Sequence, residues 1–141
     1  MKKIKFLILS LIVVFIMSCD RDEYFPRCSE CTIYEPYEAV LKCQIDFIPN
    51  GTLMQIWEGK LEDNILVYST LIFNKFQSPV FEKTVPLNKQ YTVTATYAID
   101  NKTYIAIDSA LPKVKKTQNQ CDEPCYYVYN NTVNLRLKYA N

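Results

Sequence analysis

Polar and apolar positions alternate along most of this chain. In "AVLKCQIDF" Ala39, Leu41, Cys43, Ile45 and Phe47 fall on one side and Lys42, Gln44 and Asp46 on the other, the spacing of a half-buried β-strand. Asn50-Gly51 then predicts a turn into "LMQIWEG", and the polar patch Lys60 to Asn64 leads into "ILVYSTLIF". In "VFEKTVPLNKQYTVTATYAI" the residues Tyr91, Val93, Ala95 and Tyr97 alternate with Thr92, Thr94 and Thr96. Asp100-Asn101-Lys102 predicts a hairpin connection into "TYIAI". "CYYVYNN" and "TVNLRLKY" complete the series, the last placing Val133, Leu135, Leu137 and Tyr139 together. Beyond the first twenty residues no apolar run has helical spacing. Tyrosine, threonine, valine and isoleucine are abundant, and Gly51 and Gly59 are the only glycines, a composition that favours strands.

About seven or eight short strands separated by turns predict an all-β fold, a single antiparallel β-sandwich over residues 37–141. "LNKQYTVTATY" resembles the E-to-F corner of immunoglobulin-like and fibronectin type III domains, where a tyrosine hydroxyl bonds back to the corner. That resemblance implies an immunoglobulin-like sandwich with Tyr91 as the corner residue. Leu87 and Tyr91 stand closer together than the fibronectin pattern has them, which leaves a transthyretin-like (prealbumin-like) sandwich as the alternative. An immunoglobulin domain has a cysteine two residues after the corner tyrosine. Val93 stands there, so inward-facing Cys43 is read as a small buried hydrophobe.

The N-terminus departs from this pattern. Lys2, Lys3 and Lys5 precede an uncharged run from Phe6 to Met17, which has the length of a signal-peptide core and falls short of the ~20 residues of a spanning helix. The run closes as Ile16-Met17-Ser18-Cys19 and gives way to Asp20-Arg21-Asp22-Glu23. This resembles the lipobox of bacterial lipoproteins. The resemblance implies cleavage after residue 18, lipid attachment at Cys19, and a lipidated tether over residues 19–36 that leads into the sandwich. The acidic residues after Cys19 resemble the export signal of Bacteroidota lipoproteins, which implies an outer-membrane location, on the periplasmic or the surface-exposed face. Asp108-Ser109-Ala110 resembles that phylum's O-glycosylation sequon and marks Ser109 as a candidate, although the same triplet also suits an ordinary strand end.

Removal of 18 of the 141 residues leaves 123, and removal of three lysines from 16 basic residues leaves 13 against 15 acidic ones, a net charge of −2. That balance argues against a nucleic-acid partner, and Lys113 to Lys116 read as a solvated loop. The chain has no histidine, which excludes the usual Ser-His-Asp and Cys-His nucleophile systems and histidine-bound metals. Two isolated glycines cannot form a phosphate-cradling loop. Glu58, Glu62 and Asp63 cluster near Trp57, but they fall in a turn where charged residues are normally hydrated. No catalytic residue is assigned.

With Cys19 given to lipid and Cys43 to the core, "CSEC" (Cys28, Cys31) and "CDEPC" (Cys121, Cys125) remain. In an oxidising envelope compartment, disulfides between the doublets fasten the tether to the far end of the domain. Four thiolates on a structural zinc form the alternative, and a redox dithiol at "CSEC" is disfavoured because no thioredoxin-like pattern surrounds it. The sequence does not order the pairing. The expectation for function is a non-catalytic, membrane-anchored accessory or protein-interaction module. Its rival is a carbohydrate-binding module that uses Trp57 with Tyr127 and Tyr129 of the Tyr126 to Tyr129 strand.

Overall fold

The computed structural model describes residues 27–73, 79–117 and 121–138. The expected leader, Cys19 and Tyr139 lie outside the described residues. The fold is an all-β sandwich, consistent with the immunoglobulin-like arrangement. Nine strands are present among the described residues: β1 (Glu38–Gln44), β2 (Thr52–Glu58), β3 (Ile65–Ile72), β4 (Val80–Pro86), β5 (Tyr91–Ile99), β6 (Lys102–Ala110), β7 (Lys113–Thr117), β8 (Cys125–Tyr129) and β9 (Thr132–Asn134). One sheet has the order β4-β1-β9 and the other β3-β2-β5-β6, while β7 and β8 form a separate hairpin.

The alternation reads out as burial. Ala39, Leu41, Cys43 and Ile45 of the first sheet, with Val133 and Leu135, meet Met54, Ile56, Tyr91, Val93, Ala95 and Tyr97 of the second. Cys43 is a free, buried thiol in this core. Tyr91 is the corner residue: its hydroxyl donates to the Pro86 carbonyl at 3.1 Å. Tyr97 closes the other end of the core, accepting from the Asp46 N–H at 3.2 Å and donating to the Leu135 carbonyl at 2.7 Å. An Asp46 carboxylate oxygen accepts the Leu137 N–H. The last ladder bond is the one from Leu135 N–H to the Gln44 carbonyl, and the Asp46 side chain takes the Leu137 N–H beyond it, so β9 is short although the apolar alternation runs on to Leu137.

Turns follow the chemistry of their residues. Asp100 and Asn101 both have positive φ, 48° and 59°, as a two-residue hairpin of the I′ type needs. Gly59 has φ +81°, and a Cβ there would lie 2.5 Å from a carboxylate oxygen of Asp63. That carboxylate accepts the Lys60 N–H at 2.8 Å and tightens the 3₁₀ turn Leu61–Asp63.

Four features depart from the sequence expectation. Lys113 to Lys116, read as a solvated loop, belong to strand β7 and pair with β8, and the strands among the described residues number nine rather than seven or eight. The sandwich is not wholly antiparallel, because β9 runs parallel to β1 with Cys43 opposite Val133. The two-residue link Asn130-Asn131 carries the chain directly from the hairpin into the first sheet, and a bend of that kind keeps the strand direction. The segment expected to be a tether is also fastened to the domain. Disulfides join Cys28 to Cys121 and Cys31 to Cys125, and Thr32 exchanges two backbone hydrogen bonds of 2.9 Å with Tyr126. The cysteine doublets therefore join the two ends of the described chain, as an oxidising compartment implies.

Candidate functional site

Two surfaces stand out, one on each side of the molecule. The first is the outward face of β3-β2-β5-β6. Register places three rows across it: Leu71, Leu53, Thr96 and Ile105; Ser69, Gln55, Thr94 and Ile107; Leu66, Trp57, Thr92 and Ser109. None of these twelve residues is charged. An antiparallel sheet usually gives its outer face to water and carries polar side chains there, but here Ile105 is 61% exposed and Ile107 56%. Leu53, Leu66 and Leu71 are also exposed, with Ile65 and Val67 beside them. Between these flanks Thr92 and Thr94 are buried, and the Thr92 hydroxyl donates to the Gly59 carbonyl at 2.7 Å. The Trp57 indole N–H is buried without a partner among the described residues.

The second surface is an open cleft of about 1100 Å³ between β1, the segment from Glu30 to Pro36, and β8. Tyr126, Tyr127, Val128 and Tyr129 form one wall, and Glu38, Ala39, Val40 and Lys42 the other, with Asn130 and Asn131 at one end. Tyr127 is buried and Tyr126 partly covered. The Tyr127 and Tyr129 rings lie 6.3 Å apart, and the Lys116 ammonium stands 5.5 Å from the Tyr126 ring centre. The fastening of "CSEC" to β8 holds this wall in place, since Cys125 opens the strand.

The other candidate residues are dispersed. Trp57 is not among the residues lining the cleft, so the aromatic set expected to act together is divided between the two surfaces. Glu58 is held by Lys89 at 2.9 Å, and Asp63 is engaged in its own turn. Ser109 is exposed at the end of β6, where the preceding Asp108 accepts from the Ser109 N–H at 2.8 Å and, through its other oxygen, from the Asn134 N–H at 2.7 Å. The sulfurs of Cys31, Cys121 and Cys125 lie within 4.8 Å of one another, a spacing that suits a metal. In the oxidised arrangement these sulfurs are bonded in pairs and offer no thiolate to an ion.

Burial pushes the Cys43 thiol up to about 12, so it is no nucleophile at neutral pH. No helix among the described residues is long and apolar enough to cross a membrane. No protein-family model, curated protein or solved structure matches this chain. The uncharged sheet face escaped the sequence reading because alternation distinguishes two faces of a strand without saying that both are apolar. The signal was present in "TYIAI", whose isoleucines flank a small Ala106.

Proposed function

We propose that the chain is a non-catalytic, lipid-anchored module of a bacterial envelope that works by binding another protein through the outward face of β3-β2-β5-β6. The observation that carries this reading is the twelve-residue uncharged grid with its exposed leucines and isoleucines. Contiguous exposed apolar patches on soluble domains commonly mark interaction sites. Covering five aliphatic side chains that are each about half exposed returns on the order of 5 kcal/mol, using roughly 2 kcal/mol for full burial of each. A gain of that size offsets a useful part of the association cost and needs no charge to be desolvated.

The anchor rests on the lipobox-like segment ending at Cys19. Outer-membrane placement rests on the acidic residues that follow it, and Ser109 is proposed as a glycan acceptor on the triplet alone. Mass spectrometry of the native protein is expected to find Cys19 first in the chain and acylated. Met1 retained without fatty acid refutes the anchor. A photo-crosslinking residue at Ile105 is expected to give a discrete protein adduct in intact cells, whereas one at Thr84, on the other sheet opposite Val40, does not give that adduct. An identical adduct from both positions, or none from Ile105, refutes the interaction face. A carbohydrate module stands second, because Trp57 and the β8 tyrosines stand on different surfaces and cannot share one sugar. Glycan-array binding lost on Trp57→Ala, with folding kept, would reverse the order.

A further inference from the structure

The cleft beside β8 is built where one strand leaves its neighbour early. In the ladder between β9 and β1, Lys42 N–H donates to the Asn131 carbonyl at 2.8 Å, and Leu135 N–H donates to the Gln44 carbonyl at 2.8 Å. Even-numbered residues of β1 thus turn their backbone groups toward β9. Odd-numbered positions face β4, as the bonds from Ile45 N–H to Pro79 and from Leu87 N–H to Tyr37 require. One step further along β1, a parallel ladder would give Val40 N–H the carbonyl of Tyr129 and give the Glu38 carbonyl the Tyr129 N–H. That step is missing. Asn130 takes φ +54° and swings the chain away, and Tyr129 pairs with Lys113 of β7 instead. The Asn131 side-chain amide reaches back to the Val40 carbonyl at 2.7 Å. Val40 N–H and the Glu38 carbonyl face the cleft with no partner among the described residues.

The opposite wall presents the same chemistry. Tyr126 exchanges both backbone bonds with Thr32, so even positions of β8 point away from β7. The next even position is Val128. Its N–H and carbonyl point the same way and have no partner among the described residues.

We propose that this cleft is a strand-addition site for an extended polypeptide segment, which runs parallel to β1 and resumes the ladder that β9 begins. One residue of the incoming chain donates its N–H to the Glu38 carbonyl and accepts from Val40 N–H, while its other edge meets Val128. Such main-chain pairing is a general mode of peptide recognition, with affinity from the backbone and selectivity from alternate side chains. The size fits. A paired strand fills about 160 Å³ per residue, from a rise of ~3.4 Å, a strand spacing of ~4.8 Å and a sheet spacing of ~10 Å. The cleft of about 1100 Å³ therefore takes roughly seven residues, room enough for a hexapeptide. The site is separate from the uncharged sheet face and stands or falls apart from it.

The test uses phage-displayed random hexapeptides selected on the full chain, with the best binder synthesised both as the ordinary peptide and with alternate backbone amides N-methylated. Val40→Pro removes the cleft-facing N–H without touching the β1–β4 ladder, and Val40→Thr keeps that N–H. Val40→Pro is expected to weaken binding about 10-fold, the worth of one main-chain hydrogen bond. Val40→Thr is expected to stay within about 2-fold of the parent, and the ordinary peptide to slow amide exchange at Val40. Equal binding by parent and Val40→Pro, equal binding of the N-methylated peptide, or unchanged exchange at Val40 overturns the proposal. So does failure to select any hexapeptide, or a glycan that perturbs Tyr126 and Tyr129 when no peptide does. Thermal unfolding of both variants, expected within a few degrees of the parent, separates lost binding from lost folding.

Discussion

Reduction of the two disulfides should remove most of the stability of the domain, but only when both are broken. Each bridge alone closes a loop of 93 or 94 residues. The loop-entropy relation assigns such a loop on the order of 4.6 kcal/mol. With either bridge already in place, the other closes only a ring of about nine residues, made of the stretches from Cys28 to Cys31 and from Cys121 to Cys125, which gives about 2.6 kcal/mol. Replacing Cys28 and Cys121 by serine together, or Cys31 and Cys125 together, should therefore cost about 2.6 kcal/mol. Replacing all four should cost about 7 kcal/mol, against a total of 5–15 kcal/mol for ordinary domains. Urea unfolding of the parent, the two paired variants and the fourfold variant reads these differences. The expected outcome is strong non-additivity, the fourfold loss exceeding the sum of the paired losses by about 2 kcal/mol. Paired losses that add up to the fourfold loss, or a fourfold loss below about 3 kcal/mol, would refute the chain-entropy account.

Three further outcomes follow from the core and the turns. Burial raises the Cys43 thiol from 9.0 to about 12 and also raises Tyr91, with the Glu58 charge adding, and Tyr97, with the Asp46 charge adding against its backbone hydrogen bond. The folded chain holds these protons more tightly than the unfolded one, so stability is full below about pH 9 and falls as pH rises toward 12. Cys43→Ala should flatten that fall in Tm measured from pH 8 to 11, and an unchanged slope would assign the effect elsewhere. Tyr91→Phe should cost about 1 kcal/mol in urea unfolding, because the Pro86 carbonyl loses its donor; a change below ~0.3 kcal/mol would show that water takes over the bond. Gly59→Ala should cost more than about 1 kcal/mol in urea unfolding, from its positive φ and the approach to Asp63, whereas Gly59→Asn, better suited to that backbone, should cost less; equal losses would assign the whole effect to the Asp63 contact that both side chains share.

What could be read from the sequence was local. The period of two over Ala39 to Phe47 and over Tyr91 to Tyr97 gave the correct inward residues, because a strand has only two faces, although β5 also buries Thr92 and Thr94 on its outer side. Asp100-Asn101 gave its hairpin because few residues accept positive φ. Tyr91 gave the corner bond, and the doublets gave the partners of the bridges without their order. Global features were hidden. The parallel course of β9 depends on Asp46, Asn130 and Asn131 acting at a distance, and no periodicity encodes it. The cleft arises from a hydrogen bond that is not made, for which a sequence has no mark. Ile105 and Ile107 look like core residues by composition, yet Ala106, opposite Ala95, is the one that packs against the core, so the isoleucines on either side of it face out.

The position of Cys28 couples the proposed anchor to the cleft beside β8. If Cys19 carries lipid, eight residues lie between it and the first bridge at Cys28, a reach of at most about 30 Å over the nine Cα steps. Tension on that tether enters at Cys28 and passes through sulfur into Cys121 and, by way of Cys31, into β8 at Cys125. It thus bypasses the Thr32–Tyr126 bonds and, behind them, β1, which would otherwise be pulled in turn. The same fastening holds the hairpin wall of the cleft near the anchored end, while the uncharged grid lies on the other sheet. A chain with all four bridge cysteines replaced would transmit the pull to the two Thr32–Tyr126 bonds and, once they part, to β1. Under force spectroscopy from an N-terminal attachment, its β1–β4 pairing should then rupture earlier than in the parent, whereas equal rupture forces would mean that the bridges do not carry the tension.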